Sequence, residues 1–84
     1  MKQSITKQFG TQVKFLRSKH KLTQEVLAHR SGISLKYIQK IEGKTPPNVG
    51  LETTEKLAIG FDIPLWKLLR FEPQPENKKS NSSN

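Results

Sequence analysis

The sequence predicts an all-α fold: a compact five-helix domain over residues 4–72, followed by a disordered tail over residues 73–84. Three observations carry that prediction. Apolar residues recur at spacings of three and four, and no stretch shows the strict alternation of a half-buried strand. Ser, Thr, Gly and Pro punctuate the chain at helix-length intervals. From Pro73 onward, "PQPENKKSNSSN" contains no apolar residue and cannot bury enough surface to offset the entropy of ordering it.

Phe9, Val13 and Leu16 define the first helix, from about Ile5 to His20. Thr23 then suits an N-cap, with Leu22 and Leu27 spaced to form a hydrophobic staple across it. The second helix runs from Gln24 to Ser31, burying Leu27 and Ala28, and Gly32 stops it. Ser34 caps a third helix ending at Gly43, with Ile33 and Ile38 repeating the staple. Two helices joined by about three residues with a Gly in the turn make a helix-turn-helix. Pro46 and Pro47 make "KTPPNVG" a loop. A fourth helix from Leu51 to about Phe61 is expected to bury Leu51, Leu57, Ala58 and Phe61. Asp62 breaks it, and Pro64 suits the first turn of a fifth helix ending near Phe71, with Leu65, Leu68 and Leu69 as its apolar stripe.

Composition narrows the functional classes. The chain has 84 residues and a hydrophobic fraction of 32%, so its core is small and contributes about 3–5 kcal/mol. It has no cysteine, which rules out disulfides and thiolate metal sites and leaves self-association as a source of further stability. Fifteen Lys and Arg against seven acids give a net charge of +8, which suits a polyanionic partner such as nucleic acid or an acidic membrane surface. "MKQSITKQ" lacks the apolar core of a signal peptide. The longest apolar stretch, "IPLWKLL", is too short to span a bilayer. The expected location is the cytoplasm.

"SGISLKYIQKIEGK" carries Lys36, Lys40 and Lys44 at a spacing of four. On a helical wheel Ile38 and Ile41 face the core, while Lys36 and Lys40 lie within about 40° of each other on the opposite side. Gln39 sits beside them, Ser34 and Leu35 occupy the first turn, and Glu42 falls on the core side. Alone, such a lysine row is a solvated face; projecting from a helix-turn-helix, it fits a major groove about 12 Å wide.

"LTQEVLAHRSGISLKYIQKIEGK" resembles the Xre-type helix-turn-helix of phage repressors and small bacterial regulators, and the resemblance extends from Phe9 to about Leu69. It is carried by Thr23-Gln24, Leu27-Ala28, Gly32, Ile38 and Ile41-Glu42-Gly43 in order, then by "PNVGLETTEKLA" and "DIPLWKLL". The resemblance implies a phage-repressor-like fold and a set of DNA contacts. Gln24 matches a phosphate-contacting glutamine that also braces the recognition helix; Ser34, Leu35 and Lys36 match base-reading positions. Tyr37 and Lys40 match positions touching bases or backbone, and Asn48 lies where the next loop meets phosphate; Lys44 extends the basic row. Arg17 and Glu42 match a structural ion pair, which makes Glu42 scaffold rather than a catalytic acid. "NVGL" and the lack of an effector domain resemble the controller proteins of restriction–modification systems. Three residues depart from the family pattern: Leu35 replaces a polar reader and can only pack on a thymine methyl, Thr54 replaces an apolar core residue, and Asp62 replaces a Gly.

Tyr37 can equally cover the core edge with its ring. His20 and His29 lack ligand spacing and are expected at the surface, with no metal and no cofactor. Phe15 lies off its helix's stripe and is expected to be exposed. Trp66 also lies off its stripe, and with Leu69 and Phe71 it makes a candidate homodimer interface. No phosphate loop, nucleophile elbow or paired carboxylate suggests an enzyme. Membrane-surface binding has only a faint match in the fifth helix. The alternative function is an antitoxin that binds a protein toxin and autoregulates its own operon.

Overall fold

The computed structural model describes residues 4–71, so the expected tail over 73–84 lies outside the described residues. Five helices follow in order: α1 (Ile5–Lys19), α2 (Gln24–Ser31), α3 (Leu35–Ile41), α4 (Leu51–Phe61) and α5 (Leu65–Leu68). There is no strand among the described residues.

The first three helix starts follow the capping chemistry. The Ser4 hydroxyl accepts the Lys7 amide at 3.3 Å, Thr23 accepts that of Val26 at 3.1 Å, and Ser34 accepts that of Tyr37 at 3.1 Å. Each satisfies one of the orphan amides of a first helical turn. At the end of α2, Gly32 takes φ 76°, a left-handed conformation that costs glycine nothing. Asp62 takes the same role after α4, at φ 60°; a short polar side chain tolerates that backbone better than most.

Every helix contributes to one core. Val13, Leu27, Ile38, Ile41, Leu57 and Leu68 are fully buried, and Phe61 nearly so. Two backbones meet closely over small residues. A Cβ on Gly10 of α1 would collide with the carbonyl oxygen of Ile41, so α3 can lie against α1 only over a glycine. A Cβ on Gly60 would lie 3.0 Å from the Ser31 Cβ, at the crossing of α4 and α2. The buried polar groups are satisfied: Ser31 donates to the Leu27 carbonyl at 2.8 Å and Thr54 to that of Gly50 at 2.8 Å.

Two expectations need correction. Leu51 is 80% exposed rather than buried. Thr54, Leu57, Ala58 and Phe61 set the inward direction of α4, and Leu51 lies about 70° from it on the wheel. The inward place goes to Thr54 instead, its hydroxyl turned back onto the helix. The fifth helix is a single turn, and of its expected stripe only Leu68 is buried. Beyond it the Arg70 carbonyl accepts the buried Gln12 amide of α1 at 3.0 Å, and Phe71 packs partly against the core.

Candidate nucleic-acid interface

α3 has seven residues, too few to hold a helix in isolation, so its geometry comes from what it packs on. Ile38 and Ile41 anchor it at zero exposure. Lys36, Gln39 and Lys40 are exposed, Leu35 and Tyr37 are half-buried, and Tyr37 packs against the core. The helix thus offers solvent two ammonium groups and one amide, with no carboxylate among them. Lys44 and Asn48 are exposed in the following loop, and Ser34 is exposed at the cap.

A polar cluster fixes the C-terminal end of α3. Arg17 of α1 donates from Nε to Oε2 of Glu42 and from Nη2 to Oε1, both at 2.9 Å, and from Nη1 to the Leu22 carbonyl at 3.1 Å. Gln24 donates from Nε2 to Oε1 of Glu42 at 3.1 Å. One carboxylate therefore ties α1, the start of α2 and the end of α3 together. Its side chain is only 4% exposed and that of Arg17 18%, so this bidentate pair is shielded from solvent. The hydrogen bond to Glu42 raises the Arg17 pKa above its ordinary value against the lowering effect of burial. The guanidinium therefore keeps its charge across the ordinary pH range.

Near the N-terminal end of α1, the Lys7 ammonium reaches the carbonyls of Gly43 and Lys44 at 3.5 Å each. Positive charge there complements the C-terminal end of α3.

The structure brings Gln24 and Gln39 together on one surface groove of about 630 Å³, with Lys14 and Lys21 also lining it. The two lysines were absent from the sequence-derived set. Lys14 stands one helical turn before Arg17 on α1, whereas Lys21 follows the helix end in a left-handed backbone conformation, φ 58°, and reaches the groove through that turn. Trp66 is 63% exposed and Leu69 44%, with Ile59 on α4 also exposed at 66%. Phe71 is partly committed to its own core. His20 and His29 are both exposed, His20 with its ring 5.7 Å from that of Phe61. No metal-ligating cluster occurs among the described residues, and no helix among them is long and apolar enough to cross a membrane.

Comparison with known proteins agrees with this architecture. A family model described as Helix-turn-helix matches residues 13–65. The restriction–modification controller protein C.AhdI from Aeromonas hydrophila is 35% identical, with a TM-score of 0.70 over 75% of this chain and 94% of that one. C.Esp1396I bound to a 19 base pair DNA duplex superposes with a TM-score of 0.71 at 23% identity, over 80% of this chain and 92% of that one. The hypothetical transcription factor NHTF from Neisseria gives a TM-score of 0.71 at 20% identity, over 93% and 85% respectively. No curated protein gives a significant match. The family model covers more than half of the chain, α1 to α4 for the most part, and the chain belongs to the Xre-type helix-turn-helix family.

Proposed function

We propose that this protein is a sequence-specific double-stranded DNA-binding transcriptional regulator that acts as a homodimer on a two-half-site operator, by default a repressor that occludes polymerase. The carrying observation is the division of α3 into a buried apolar stripe and an exposed donor face, its end fixed through Glu42. In this reading Lys36 reaches a base edge from the major groove, with Ser34 and Leu35 beside it in the first turn. Lys40, Lys44, Tyr37 and Asn48 serve the backbone or neighbouring bases. Gln24 contributes its helix-start position to a phosphate, joined by Lys14 and Lys21 across the groove they share. The likeness to C.AhdI supports a controller role of the same kind, in which regulation follows protein concentration and operator arrangement.

The dimer in this proposal forms through the exposed side of α5, centred on Trp66 and Leu69, with Ile59 and Leu65 offering further exposed apolar surface. A shared two-fold axis would set two α3 helices into successive major grooves about 34 Å apart. The function is tested by measuring affinity for the DNA upstream of the gene and for random duplex across salt concentrations. Counterion release predicts a log–log slope of about −0.9 for each phosphate neutralised. Preference for the upstream DNA at moderate salt is expected. Equal affinity for both would reduce the protein to a non-specific basic binder.

A further inference from the structure

Leu35 stands on the reading side of α3 and has no place in the core. It is the first residue of the helix and half-buried. It does not belong to the partly buried apolar side chains that pack against the core, which include Leu22, Tyr37 and Val49. The Ser34 oxygen before it is engaged by the Tyr37 amide at 3.1 Å. Lys36 after it is exposed, and Gln39, four residues on and so on the same side of the helix, is exposed too. An isobutyl group therefore sits within a face whose other members donate hydrogen bonds. In the major groove, base edges offer one apolar feature for such a group, the methyl on C5 of a pyrimidine.

Resting on the DNA-binding function proposed above, we infer that Leu35 is a specificity-determining residue that reads a C5-methyl group in each half-site. The side chain neither donates nor accepts, so it does not distinguish the O4 of thymine from the N4 amino group of cytosine. Thymine and 5-methylcytosine are equivalent to Leu35, whereas uracil and unmethylated cytosine both lack what it contacts. Binding is consequently sensitive to cytosine C5 methylation at that position.

The test begins with repeated selection of bound duplexes from a randomised DNA pool by the full chain. Each thymine of the selected half-site is then replaced by deoxyuridine, which removes the methyl and nothing else. One thymine per half-site should show a loss of about fourfold, the value of burying one methyl. At that position 5-methylcytosine should bind more tightly than cytosine by a similar factor. Leu35→Ala, which leaves the core untouched, should bind the thymine and uracil duplexes alike, and Leu35→Met should keep the difference. Circular dichroism confirms that the variants fold. A selected site without any uracil-sensitive thymine, or one whose sensitivity survives Leu35→Ala, would overturn this inference alone. Failure to select any sequence would overturn the DNA-binding function, and the inference with it.

Discussion

Arg17→Ala is the substitution that most directly separates scaffold from contact. In the native protein the guanidinium makes three hydrogen bonds, two to Glu42 and one to the Leu22 carbonyl. Without it, a carboxylate that is 4% exposed keeps only the Gln24 amide at 3.1 Å. Removing one partner of a partly shielded pair leaves the other charge uncompensated and costs about 3 kcal/mol, the low end of the range for buried pairs. In a domain of this size each kcal/mol moves the melting temperature by about 4–8 °C, so a fall of at least about 12 °C is expected. Added salt should restore little of it, because screening acts weakly on shielded groups. The double variant Arg17→Met with Glu42→Leu should recover much of the loss, since a hydrophobic pair of similar volume removes the stranded charge. Thermal denaturation followed by circular dichroism measures all three proteins. An unchanged melting temperature together with abolished DNA binding would refute the argument and make Arg17 a contact residue.

The remaining expectations concern α3, its seat and the dimer. Lys36→Ala should lose about 1–3 kcal/mol on the operator and relax preference at one base pair, while Lys40→Ala should weaken all sequences alike and flatten the salt slope; competition binding against operator variants separates them. Both should keep full helicity, as neither side chain faces the core. Gly10→Ala should destabilise by about 1–3 kcal/mol through overpacking, because the new methyl meets the Ile41 backbone rather than a side chain that can move; a melting temperature equal to wild type would show that the α1–α3 crossing yields freely. Sedimentation at micromolar concentration should find a dimer for wild type and a weakened one for Trp66→Ala, and a wild-type monomer would exclude the α5 interface.

Much of the fold was legible because its punctuation is local. Thr23, Gly32 and Ser34 act within one turn of their own positions, so the second helix fell on Gln24–Ser31 as expected. The same locality explains the buried Ile38 and Ile41 opposite exposed Lys36 and Lys40. What sequence left undecided was set between elements. Periodicity counted Leu51 as core because it is apolar and begins a helix, yet the inward direction of α4 is set by four residues of which one is Thr54. Past the single-turn fifth helix the Arg70 carbonyl is taken by the Gln12 amide of α1, a contact between elements that no local pattern announces. Lys14 was recoverable from its spacing to Arg17 on one helix, whereas Lys21 is placed by the turn after α1 and Gly10 reveals its role only once Ile41 lies against it.

These between-element contacts bear on recognition because α3 cannot define its own position. A seven-residue helix is unstable alone, and its C-terminal end is held by three separate parts of α1: Lys7 on the carbonyls after it, Gly10 beneath its last residue, and Arg17 through Glu42. Those groups lie at spacings of three and seven along one helix, so they share one side of it and act as a single rigid seat. A base contact needs its donor within a few tenths of an ångström of the acceptor, and tilting α3 at its fixed end would displace Lys36 at the other. Substitutions at Lys7, Gly10 or Arg17 should therefore lower the ratio of specific to non-specific affinity even where the folded fraction is held equal. Phosphate contacts tolerate such a tilt because they depend on charge more than on direction. A variant at any of the three positions that loses specific and non-specific affinity in equal proportion would show that the seat supports folding without setting the reading geometry.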